Sequence, residues 1–220
     1  MKITGSTFSI GDLTPDKVID QMVGRELHLD LTQRRPAREF GELVLSAKGI
    51  KAPKVNGIDL EVSKGQIVGL GGLVGAGRTE LLRAFIGADP RSAGRVTITS
   101  HGKKRVMTGD LSAIKAGVAH VPEERRTDGL ALTMTVAENI FLPNRKEVSP
   151  TGVMPKGKIA AFAKDLSEKV NLRPPEVTRE AGQYSGGNQQ KIVIAKWLGR
   201  KPSFIVLDEP TRGVDVGAKA

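Results

Sequence analysis

The sequence predicts an α/β fold built around an anion-binding loop, with an antiparallel β part and a helical insert. Three observations carry that expectation. A glycine-rich turn, Gly72-Leu73-Val74-Gly75-Ala76-Gly77-Arg78-Thr79, follows the apolar run 66–70 and precedes a helix-like segment that stops at Gly87. A second turn of small residues, Ser185-Gly186-Gly187, opens a helix-like run through Asn188, Gln189 and Gln190. A short apolar strand at 204–207 then ends in two adjacent carboxylates, Asp208 and Glu209.

The elements follow in chain order. Residues 1–41 differ from the rest: 14–23 predicts a short amphipathic helix with Pro15 in its first turn, and 32–36 is polar and contains proline. This segment reads as a connector rather than a domain. From residue 42 onward short strands dominate, at 43–46, 57–62 and 66–70. Residues 95–99 and 105–107 are expected to pair across the basic turn Gly102-Lys103-Lys104-Arg105, a hairpin tip. Asp110 is placed to cap a helix running through Ile114 to Gly117, with 118–121 as the next strand. Thr135-Val136-Ala137-Glu138 has the form of a capping box. Ile159, Phe162, Ala163, Leu166 and Val170 fall on one helical face, and Trp197, near Ile192, Val193 and Ile194, reads as a packing residue. Alternating β and α segments around a loop of this kind give an α/β core, with helices inserted before the Ser185 turn.

The chemistry of the three motifs converges on a nucleoside triphosphate. Glycines at 72, 75 and 77 allow a tight turn whose N–H groups form a nest for phosphate oxygens, and the following helix adds partial positive charge. Thr79 has the hydroxyl and the position to reach Mg²⁺. An apolar strand holds Asp208 where it can bind the same ion, and Glu209 where it can orient a water. One residue departs from the pattern G-x-x-x-x-G-K-[ST]: Arg78 stands where lysine is required. Lysine is a compact point charge and guanidinium is broad and planar. Since phosphoryl transfer depends on positioning, the loop is expected to bind nucleotide and to hydrolyse it poorly.

Bulk properties narrow the remaining classes. At 220 residues the chain suffices for one domain with a tail. It has no cysteine, hence no disulfide, thiolate metal site or cysteine nucleophile, and His28, His101 and His120 lack ligand spacing. No apolar run approaches the ~20 residues that span a bilayer, and no secretory pattern opens the chain, so the expectation is a cytosolic soluble protein. The formal charge of +10 raises the question of nucleic acid, but the basic residues are spread along the chain and aromatics are 4% of it.

From about Gly41 to the end the chain resembles the second ATPase half of tandem-domain ATP-binding-cassette (ABC) importers for ribose, galactose, arabinose and related sugars. Tyr184-Ser185-Gly186-Gly187-Asn188-Gln189-Gln190-Lys191 is similar to the signature motif of that subgroup. The run from Leu207 through Asp208, Glu209 and Arg212 to Asp215 and Lys219 is similar to its Walker B and D-loop. Gly75-Ala76-Gly77-Arg78-Thr79-Glu80-Leu81 also fits, arginine included, and residues 1–41 resemble the end of a first ATPase half plus a linker.

The resemblance implies an ABC-type nucleotide-binding domain over 42–220, incomplete at its C-terminus, with ATP and Mg²⁺ as cofactors. It implies phosphate contacts from Gly72, Leu73, Val74, Gly75, Ala76, Gly77, Arg78 and Thr79, and metal contacts from Thr79 and Asp208. Glu209 is then the water-orienting catalytic residue. Glu123 stands at the glutamine-loop position, and Ser185, Gly186, Gly187, Gln189 and Asp215 serve a nucleotide held by a second, head-to-tail ATPase half. Further implied partners are membrane subunits on the inner face of the cell membrane and, indirectly, a periplasmic sugar-binding protein. Departures are the missing adenine-stacking aromatic around 49–53, Arg78, Glu123, and the absence of a switch histidine before Ala220. Such a domain is not expected to turn over alone. Two alternatives stand beside this reading: a non-transport ABC ATPase acting on nucleic acid or ribosomes, and a non-catalytic nucleotide-binding module.

Overall fold

A computed structural model describes residues 39–100, 102–148 and 156–212, all within the unit Arg38–Arg212. The expected helix at 14–23, together with His28, His101 and Asp215, lies outside the described residues. Strand β1 (Leu43–Ala52) pairs antiparallel with β2 (Val55–Ser63) on one side and with β3 (Ala93–Ser100) on the other. β4 (Lys103–Val106) closes this four-stranded sheet in the order β2-β1-β3-β4. Thr97 faces Val106 and Ser100 faces Lys103 across the basic turn, as a hairpin there requires. Buried Leu45, Ala47 and Ile50 of β1 seal the sheet against helix α1 (Arg78–Ile86), which contributes Leu81, Ala84, Phe85 and Ile86. Gly87 ends α1 in the left-handed conformation (φ 79°), its N–H bonded to the Arg83 carbonyl.

The chain then passes through α2 (Asp110–Lys115) to β5 (Val118–Val121). Asp110 does not cap α2. It is the first residue of the helix, and among the described residues its carboxylate accepts only from the neighbouring Leu111 N–H, at 2.6 Å. Ser112 does the capping instead: its hydroxyl accepts from the Thr108 and Gly109 N–H groups at 2.9 and 3.1 Å. A side chain two residues further into the turn reaches back over it, which a carboxylate at the first position cannot do.

The helical insert comprises α3 (Val136–Phe141), α4 (Arg145–Val148) and α5 (Lys156–Lys169), and it packs on α6 (Gly186–Leu198). Thr135 and Glu138 form the reciprocal capping box read from the sequence. Ala163 and Leu166 are buried, and Ile159, Phe162, Val170 and Trp197 pack beside them in a core shared with Ile140, Ile192 and Val193. Finally β6 (Phe204–Leu207) runs parallel to β5, with Val118 opposite Phe204 and Val121 opposite Leu207. β5 joins the two cores, since Val118 belongs to the first and Val121 to the second.

The strand expected at 66–70 is absent. The segment has no regular structure and no strand partner among the described residues, with Ile67 88% exposed, and a cleft of about 700 Å³ lies between it and β6. An apolar run becomes a strand only where a neighbour satisfies its backbone groups. Among the described residues, β6 is bonded along one edge only, to β5.

Candidate functional site

The turn at 72–77 and the first residues of α1 are positioned by two glycines that no other residue replaces cheaply. Gly75 and Gly77 have φ of 81° and 88°, and a Cβ on Gly77 would sit 2.8 Å from the Lys54 carbonyl oxygen. Hairpin β1–β2 therefore backs the loop directly. Lys54 adds an ion pair to Glu80 at 2.6 Å, which holds the Glu80 carboxyl below the usual carboxylate range. Leu73 and Val74 are open to solvent at the crest of the turn.

Long-range contacts assemble the chemical groups around the start of α1. Arg78 Nη2 donates to Glu209 Oε1 at 2.8 Å. Thr79 Oγ1 donates to Glu123 Oε2 at 3.1 Å, and the same hydroxyl is close enough to Asp208 to stabilise its charged form. Arg212 forms a close ion pair with Glu123, and its carbonyl accepts from Arg125 Nη1 at 2.7 Å. Asp208 is 3% exposed. Burial raises its pKa, and Glu209 pushes the same way against the Thr79 contact and the Arg78 and Arg83 charges. The single Thr79 hydroxyl proton can serve one carboxylate at a time. Two carboxylates converging on one hydroxyl make a hard-oxygen donor set suited to Mg²⁺.

The structure thus brings together Arg78, Thr79, Glu123, Asp208 and Glu209 beside the turn formed by Gly72, Leu73, Val74, Gly75, Ala76 and Gly77. The Ser185 turn is elsewhere: among the described residues no hydrogen bond or ion pair links it to the loop. Ser185 precedes α6 without a side-chain cap bond, and its Oγ accepts from Asn188 Nδ2 at 3.1 Å. The N–H groups of Gly186, Gly187 and Asn188 are consequently available at the start of a 13-residue helix. Gln189 departs from its expected place. It is 4% exposed, and its amide donates inward to the Tyr184 carbonyl at 3.0 Å, because position 189 falls on the core face of α6.

The sequence placed Arg212 in the Walker B run but did not foresee its pairing with Glu123, and it gave no sign that His120 is buried. A cation after the carboxylate pair could have been matched to the acidic Glu123, but nothing local links residues 89 apart. His120 on β5 is largely buried, its Nε2 makes no hydrogen bond, and burial with the Arg83 charge lowers its pKa to about 4. A histidine that stays neutral when folded and protonates when unfolded near 6.5 favours unfolding as acid is added. The linked stability is fully present above about pH 6.5 and is lost progressively toward pH 4, on the order of 3 kcal/mol in all. Urea unfolding of wild type and His120→Leu from pH 4 to 7 checks this. The variant is expected to lose that part of the slope, and identical slopes would refute it.

Residues 55–212 match the family model described as ABC transporter, and the chain belongs to that family. Its particular relatives are sugar-import ATP-binding proteins. The chain is 40% identical over 204 residues to the ribose import ATP-binding protein RbsA of Lactococcus lactis subsp. cremoris, covering 93% of this chain and 41% of that protein. It is 42% identical over 219 residues to RbsA of Bacillus licheniformis (98% and 43% covered). It is also 40% identical over 219 residues to a putative ribose/galactose/methyl galactoside import ATP-binding protein of Agrobacterium fabrum (97% and 42%). The chain spans about two fifths of the length of these relatives. Among solved structures, the dimeric ATP-binding cassette MJ0796 superposes with a TM-score of 0.66 at 21% identity, covering 80% of this chain and 78% of that one. Its post-hydrolysis state with ADP and Pi gives 0.65 at 22% identity, covering 79% and 77%. The fold is that of an ATP-binding cassette.

Proposed function

We propose that this chain is the second ATPase half of a tandem sugar importer, with 1–41 as connector and 42–220 as the nucleotide-binding domain. The observation that carries the reading is the convergence of Arg78, Thr79, Asp208 and Glu209 at the start of α1, behind a glycine turn braced by Lys54. In this reading the N–H groups of 72–79 and Arg78 hold the ATP phosphates, while Thr79 and Asp208 hold Mg²⁺. The ion neutralises phosphate charge when bound. Glu209 orients the attacking water. Glu123 approaches the same metal position through Thr79.

Ser185, Gly186, Gly187 and Asp215 serve a second nucleotide held by the partner half. The domain works at the cytoplasmic face of the membrane, against membrane subunits fed by a periplasmic binding protein. The names of the relatives support sugar import over a nucleic-acid role. Among the described residues no helix is long and apolar enough to cross a membrane, so translocation falls to other subunits in this scheme.

Calorimetric titration of the purified chain with Mg-ATP, ADP and Mg-free ATP tests the nucleotide site. Saturable, magnesium-dependent binding is expected. A folded chain that binds none of the three would overturn the assignment of 72–79.

A further inference from the structure

Arg78 stands at the first position of α1, where a cation is expected to meet phosphate, yet its guanidinium is spent on a carboxylate. Nη2 lies 2.8 Å from Glu209 Oε1, across 131 residues of sequence. Both side chains are partly open to solvent, at 32% and 41%, so an incoming anion can reach them. Glu209 is held toward Arg78 by its backbone: φ is 41°, a left-handed conformation that non-glycine residues seldom adopt. That twist falls one residue past buried Asp208, and the turn is closed by the Arg212 N–H bonding the Glu209 carbonyl at 2.9 Å.

We infer that Arg78 is a positioning residue for Glu209 as well as a phosphate ligand, and that it exchanges one partner for the other. With the loop empty, Arg78 pairs with Oε1 of Glu209 and draws the charge of the carboxylate away from a water. A phosphate group seated in the turn carries more charge than a carboxylate and meets the helix N-terminus as well, so it takes the guanidinium. Only then does Glu209 offer a water its full charge and both oxygens. The arginine at 78 thereby ties the availability of Glu209 to loop occupancy.

This inference rests on 72–79 being a phosphate site, and the test separates the two. ADP without Mg²⁺ is titrated into wild type, Glu209→Gln, Arg78→Met and the double variant. ADP removes direct repulsion between Glu209 and a γ-phosphate. Glu209→Gln is expected to tighten ADP about threefold where Arg78 is present, in line with a partly exposed ion pair, and to change nothing in the Arg78→Met background. Equal effects in both backgrounds, or none in either, would overturn the exchange while leaving the phosphate site intact. No ADP binding by folded wild type would overturn both. Should Arg78→Met bind too weakly to measure, the Arg78 side-chain N–H resonance decides: it is expected to shift with Glu209→Gln and with ADP, and an unmoved signal refutes the pair.

Discussion

Placing tryptophan at Gly187 in the assembled two-half ATPase is expected to lower turnover at least about 100-fold, the scale of losing preorganised donors at a reacting phosphate. Gly187 is the second residue of α6, half-buried, in the part of the helix whose N–H groups have no intrahelical acceptor. Ser185 leaves those donors uncapped, and the Asn188–Ser185 contact keeps the turn formed without using them. A bulky side chain there blocks approach of a partner-held phosphate to the helix start. Steady-state ATPase of the assembly, with unfolding temperature as control, measures the effect. Retained turnover at unchanged stability would sink the assignment of this turn to a reacting phosphate.

Asp208→Asn is expected to weaken magnesium-dependent ATP binding at least about tenfold, the lower range for losing a group that holds or orients a metal. Its effect on folding should be small. Burial already disfavours the Asp208 charge, as its raised pKa states, so a neutral amide of the same shape relieves a cost. Calorimetry with and without Mg²⁺ distinguishes the outcomes: the variant should approach the magnesium-free affinity of the wild type. An unchanged magnesium dependence would move the metal to Glu123 and remove Asp208 from the site.

Both residues are legible in the sequence because their settings are local. Gly187 opens a helix after Ser185, and Asp208 ends an apolar strand; both statements concern a handful of neighbours. The same holds for the Gly87 stop of α1 and the Thr135–Glu138 capping box, each closed by bonds within a single turn. The face of α5 is readable from its period. Asp110 shows the limit of that reasoning, since Ser112 takes the cap by reaching back over the turn. Gln189 shows another, because its burial depends on what packs against α6.

Backbone preference and short-range pattern suffice for the loop, the carboxylate pair, the signature turn and the α/β class, so all four can be read from the order of residues. Which charges meet is a matter of three-dimensional packing. Arg78 with Glu209, Thr79 with Glu123 and Arg212 with Glu123 are pairings across 131, 44 and 89 residues, and no local pattern links such distant positions. Packing likewise leaves 66–70 unpaired, because strand identity belongs to the hydrogen-bonded neighbour rather than to the apolar run.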